Sequence, residues 1–187
     1  MVLTDKDILG ALEKGELIID PAPSARSYSS TSVDLKLGKN IQVWKEPPPK
    51  GVEPQVIVPA DPDFNCTDII KACSDLIEIP ACGYVMEPRT FILGWTEEYV
   101  ELINDSHIAA RVEGKSSIAR LGVGVHITAP TIHAGFRGEI QLEMFNLGPH
   151  RIRLKPGMRI CQLIFEKTTG AADHPYEGQF SGQRGRE

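Results

Sequence analysis

From residue 76 onward the chain breaks into short apolar segments separated by turn residues: "LIEIP", "GYVMEP", "TFILGW", "YVEL", "HIAARVE", "VGVHIT", "EIQLEMFN", "HRIRLKPG" and "RICQLIFEK". Each has the length of a strand, and several alternate apolar with polar residues. That cadence predicts a mainly β sandwich or barrel and leaves little of this half for helix. The first half contributes one helix, "LTDKDILGALEKGEL". Thr4 can cap it, Ile8, Leu9 and Leu12 form its apolar stripe, and Gly15 can end it. "LIIDP" then reads as extended. "SYSSTSVDLKLG" sets Val33, Leu35 and Leu37 against Ser32, Asp34 and Lys36, which predicts a half-buried strand with "NIQVW" as its partner.

"KEPPPKGVEPQVIVPADPDF" is rich in proline and reads as a surface loop or insertion, with "CTDIIKACSDL" after it as a short helix. The expected organisation is one β domain over residues 1–166, carrying a Pro-rich insertion near 45–75. A flexible lid is expected over 167–187. That last stretch, "KTTGAADHPYEGQFSGQRGRE", has the composition of a frayed tail. The sharper reading is the lid, ordering over a ligand with Tyr176 and Phe180 available to stack.

With 187 residues, 41% hydrophobic and 24% charged, the chain is expected to be one globular domain. No apolar run approaches the roughly 20 residues that span a bilayer. The first residues resemble no signal peptide, so a cytoplasmic protein is expected. A net charge of -5 argues against nucleic-acid or membrane-surface partners. Cys66, Cys73, Cys82 and Cys161 form no CxxC pair and have no metal-like spacing with histidine, so buried free thiols are expected and zinc is not. A Walker loop, a G-x-G-x-x-G turn and a G-x-S-x-G elbow are all absent.

What remains for chemistry is two stretches. "EGKSSIARLG" offers a turn, two hydroxyls, a lysine and an arginine, enough to surround a phosphate without a P-loop. In a helical turn Ser116 and Arg120 would face the same way. By composition alone a capped turn with solvated charges fits the same residues. "HAGFRGEIQLEMFN" opens with a hairpin signal and then alternates, Ile140, Leu142 and Met144 on one face and Glu139, Gln141 and Glu143 on the other. A carboxylate on that second face becomes a general acid/base only where the face lines a cleft.

Taken in order, "LTDKDILGALEKGELIIDP", "TSVDLKLG", "ARVEGKSSIARLGVGVHITA", "AGFRGEIQLEMFNLG", "LKPGMRICQLIFEK" and "YEGQFSGQRG" resemble the dCTP deaminase branch of the trimeric dUTPase-like superfamily. The Pro-rich stretch lies outside the likeness. The resemblance implies a distorted β-barrel or jelly-roll with a short N-terminal helix, assembled as a homotrimer with sites between subunits. It implies zinc-independent deamination of dCTP to dUTP and ammonia, with Mg²⁺ carried on the triphosphate and dTTP a candidate inhibitor. Glu143 matches the general base, and Ser116, Arg120 and the Ala129 carbonyl match the groups that hold the water. Lys115, Ser116, Ser117, Ile118, Ala119 and Arg120 match the stretch at the triphosphate and base pocket. Gln141, Leu142 and Glu143 match the strand that reads the cytosine, and Tyr176 and Gln183 the tail that closes over the nucleotide.

Two positions depart from the pattern. His133 stands where the family usually has an aspartate near the deoxyribose, which in dUTPases also helps position the attacking water. Weak or absent diphosphatase activity is therefore expected, with a bifunctional dUMP-forming enzyme and a non-catalytic nucleotide-binding trimer as the alternatives. Gln179 stands where the deaminase tail often has a lysine, and Lys167, Arg184 and Arg186 are the cations at hand to replace it.

Overall fold

Thr4 starts the first helix, α1 (Asp5–Glu13), in a computed structural model that describes residues 1–187 except 47, 49, 50, 54, 171, 172, 175, 177–181, 186 and 187. Its hydroxyl accepts from Asp7 N, and the Asp7 carboxylate accepts the Thr4 N–H at 3.1 Å, so two of the helix's unpaired donors are satisfied reciprocally. The buried stripe is narrower than expected. Ile8 and Ala11 face the core and Leu12 packs beside them, while Leu9 stays 43% exposed because only one face of this short helix meets the sheet.

Strands follow in short order: β1 (Leu17–Asp20), β2 (Tyr28–Ser29) and β3 (Ser32–Trp44). After the proline-rich stretch come α2 (Cys66–Cys73), capped by Asn65, and β4 (Ser74–Glu78). β5 (Tyr84–Met86), β6 (Phe91–Leu102) and β7 (Ile108–Gly114) lead to the one-turn helix α3 (Ser116–Ala119). The chain ends its regular structure with β8 (Val123–Val125), β9 (Thr131–Ile132), β10 (Arg137–Asn146), β11 (Ile152–Leu154) and β12 (Arg159–Lys167). The main sheet runs β8-β10-β6-β3-β12-β7-β9 and curls into a half-barrel, with β1 on β6 and β2 and β4 on β3. A small β11-β5 pair stands beside it. The mainly β class with one opening helix is as expected. Among the described residues no helix is long and apolar enough to cross a membrane.

Three local expectations are corrected. "NIQVW" is not the partner of "SVDLKLG" but its continuation in β3: Gly38 makes no turn, and a Cβ on it would press the Trp95 carbonyl at 3.1 Å. Both faces of β3 are covered, so Ser32 and Asp34 are as buried as Val33 and Leu35. "TFILGW" and "YVEL" likewise fuse into β6, where Gly94 provides room for Leu37 and Met144 rather than a bend. "AGFRG" joins no hairpin: β9 pairs with β7 and β10 with β6, and the turn between them bonds back to β6 through Gly135 N to Leu102 O, 2.9 Å. Of the four thiols only Cys161 is fully buried, and Cys82 is exposed.

Two features of this frame can be tested. Gly122 (φ 92°) turns the chain from α3 into β8, and a Cβ there would run into the Gly148 backbone. Gly122→Ala should therefore lower the unfolding free energy by more than about 1 kcal/mol in urea titration; an unchanged midpoint would show that this turn yields. Glu98 is 1% exposed, and burial pushes its carboxyl pKa up although Lys36 N donates to it at 2.8 Å. A carboxyl raised on folding costs stability above its folded pKa, and the cost vanishes below the unfolded value. Glu98→Gln should raise the melting temperature at neutral pH and lose that advantage on acidification toward about pH 4.

Candidate active site

β10 decides where the candidate carboxylate goes. Ile140, Leu142 and Met144 are 2%, 0% and 0% exposed, and the alternation forces Glu139, Gln141 and Glu143 onto the opposite face. That face borders a cavity of about 250 Å³ lined by Glu143, Gln141, Ala129, His126, His133 and Tyr176, with Ile132, Phe136 and Ile140 as apolar wall and Gln183 at the rim. Glu143 keeps 31% of its side chain exposed and is not a residue of bulk solvent.

β8 pairs with β10 only at Met144–Asn146, one bond further if His126 N to Glu143 O at 2.8 Å is included. His126 then adopts left-handed backbone (φ 59°) and the chain leaves the sheet. The edge of β10 at Gln141, on the same side as the Glu143 carbonyl that His126 N reaches, is thus left without a strand. The Leu142 side chain is fully buried, and its backbone, in register with Gly94, turns toward β6 as that of Ile140 does.

The same left-handed turn swings the His126 ring onto the carboxylate. Nε2 lies 2.6 Å from the Ala129 carbonyl and Nδ1 lies 3.5 Å from Glu143 Oε2. A carbonyl only accepts, so Nε2 must carry a proton. Nδ1 and Oε2 are both buried, and neither has a hydrogen-bond partner. His126 was not among the residues picked from sequence; its signal was a single polar ring closing the apolar run "VGVH" directly before "ITA".

The other site residues divide into two groups. Ala129, His133, Gln141, Tyr176 and Gln183 come together with Glu143. Tyr176 stacks on His133 at 5.6 Å and tilts against Phe136 at 6.0 Å. Gln183 donates from Nε2 to the Glu139 carbonyl at 2.9 Å and accepts from Glu139 N at 3.1 Å, so the tail pairs with the start of β10. Arg184 lies over the Tyr99 ring and beside Glu139, and is committed there. Lys115, Ser116, Ser117, Ile118, Ala119 and Arg120 do not line this cavity: they form α3 and its two caps. The turn predicted for "SSIAR" is present, with Arg120 N bonding Ser116 O at 3.1 Å, and both residues are exposed. Lys115 reaches not outward but to the buried carboxylate of Asp34, at 2.5 Å. Gln179, Phe180 and Arg186 lie outside the described residues. Among those described, no group of three or more His, Cys, Asp or Glu side chains could hold a metal.

Comparison with known proteins gives a consistent result. A family model described as dCTP deaminase-like matches residues 2–168. A protein of Methanosphaera stadtmanae named "dCTP deaminase, dUMP-forming" is 35% identical over 98% of this chain and 90% of its own length. A Thermomicrobium roseum protein named "dCTP deaminase" is 34% identical over the same shares. Among solved structures, the 2'-deoxycytidine 5'-triphosphate deaminase of Agrobacterium tumefaciens superposes with a TM-score of 0.67 at 21% identity, over 89% of this chain and 48% of that one. That structural match establishes the half-barrel fold, and the sequence matches establish descent: the chain belongs to the dCTP deaminase-like family.

Proposed function

We propose that the chain hydrolyses dCTP, first at the cytosine amine and then at the triphosphate, to give ammonia, dUMP and pyrophosphate. The observation that carries the first step is the half-buried Glu143 carboxylate, which lines one cavity with Ala129 where β8 leaves β10. Cytosine C4 is a weak electrophile, so water must lose a proton as it adds and N3 must gain one. Glu143 takes that proton and delivers it to N3. It then moves the hydroxyl proton of the tetrahedral adduct to the amine, which leaves as ammonia while C4 becomes a carbonyl. The Gln141 backbone, on the edge that β8 leaves, reads the base edge.

The second step is supported by the relatives named dUMP-forming, several of them matching over most of their length. The expectation that His133 suppresses this step is set aside in their favour. His133 instead supports Tyr176 by stacking, where an aspartate would not. The α3 segment of a neighbouring copy in a homotrimer would bring Ser116 and Arg120 to the cavity, and the Mg²⁺ belongs to the substrate's phosphates.

Three outcomes are expected. Incubating the protein with dCTP and Mg²⁺ should release ammonia, dUMP and pyrophosphate in step, by ion-exchange separation of quenched samples; accumulating dUTP would confine the activity to deamination. Glu143→Gln should slow ammonia release by at least about 100-fold while still binding dCTP in calorimetry, and full activity would remove the carboxylate from the mechanism. His126→Asn should change the shape of the kcat–pH profile, since the imidazole that lies 3.5 Å from the Glu143 carboxylate is gone; an unchanged profile would show that the ring is a bystander.

A further inference from the structure

α3 is weakly held for an element that carries site residues. None of its four residues is buried, and only Ile118 packs against the core. Its own bonds are local: Ile118 N and Ala119 N both reach Lys115 O at 2.9 Å. What ties this turn to the sheet is the residue before it. Lys115 occupies the N-cap position, yet its side chain caps nothing. It runs back beneath the turn to Asp34 Oδ1, while Arg159 Nη1 approaches Oδ2 at 3.5 Å. Asp34 is 5% exposed and stands in register with Gln162 of β12, which in turn faces Glu113 of β7. A second tie lies one residue earlier, where Gln162 Nε2 donates to Gly114 O at 3.3 Å and is itself held by the Ser32 hydroxyl at 2.9 Å.

A carboxylate this deeply buried needs both its cations, and a lysine so paired is not a freely moving phosphate ligand. We propose that Asp34 is a positioning residue of the active site: it anchors Lys115, and through it fixes the Ser116–Arg120 turn, so that Lys115 acts as a tether rather than as a phosphate contact. This deepens the functional reading above and rests on it for the role of Ser116 and Arg120. Small displacements of groups that orient a reacting water cost rate far more than affinity. Neutralising Asp34 also leaves the neighbourhood more positive, which does not weaken the hold on a polyphosphate.

The test is a cycle of Asp34→Asn, Lys115→Met and the double variant, read in kcat for ammonia release and in dCTP affinity by calorimetry on the Glu143→Gln background. Each single change should lower kcat about 100-fold without weakening dCTP binding. The double variant should be no slower than the slower single, because Asp34 acts through Lys115. Multiplying effects, an unchanged kcat, or a loss of affinity of about 10-fold or more in Lys115→Met, as expected of a lost charge-assisted phosphate contact, would each overturn the proposal. Should Asp34→Asn fail to fold, Lys115→Arg decides: it keeps a donor within reach of Asp34 and should restore most of the rate, whereas a rate as low as that of Lys115→Met overturns the tether. One readout is independent of turnover. Under amine acetylation followed by peptide mass analysis, Lys115 should be protected in the parent and label as fast as exposed Lys6 once Asp34 is neutralised. Equal labelling in both overturns the tether. A parent inactive on dCTP would instead reject the functional reading and leave the tether to be judged by labelling.

Discussion

The structure depends on how β10 is seated. Its alternate side chains are locked into the core between β6 and β8, so a slip of one residue would carry Glu143 inward and Met144 out. Burial of three large apolar residues on one face is thereby converted into the placement of a single carboxylate on the other. The seat is asymmetric: β6 accompanies β10 almost from end to end, whereas β8 stops after three residues. The chain's departure at His126 both exposes a strand edge and supplies the ring that faces the carboxylate.

Much of this was legible in the residues themselves. The strand cadence after residue 76, the capping by Thr4, the alternation in "EIQLEMFN" and the single turn in "SSIAR" are local signals, and local signals survive into the fold. What local pattern does not carry is which strand pairs with which. "AGFRG" looks like a hairpin because glycines bracket it, and nothing nearby tells that Leu102 will capture the turn. Gly38 and Gly94 look like punctuation because the side chains that need their space, or the carbonyl that would meet a Cβ, belong to strands dozens of residues away.

The candidate site shows the same division. Glu143 could be chosen from alternation and family likeness together, and Ala129, Gln141, His133, Tyr176 and Gln183 meet it in one cavity. His126 could not, because its importance comes from a positive φ that is invisible in an isolated histidine. Lys115 was legible as a cation near a turn, but the direction of its side chain is set by Asp34, 81 positions earlier. Charge and spacing name the groups available for chemistry; the buried partner of each decides what it is free to do.

The position of β12 has a consequence for how the molecule comes into being. This last strand lies between β3 and β7, and Glu166 also bridges to Val2. Until residue 167 has been synthesised, two strands made much earlier wait with open edges, and no nascent fragment can close the sheet. Joining β3 to β7 is therefore the late step of assembly, and the period before it is when those two edges are open to association with neighbouring chains.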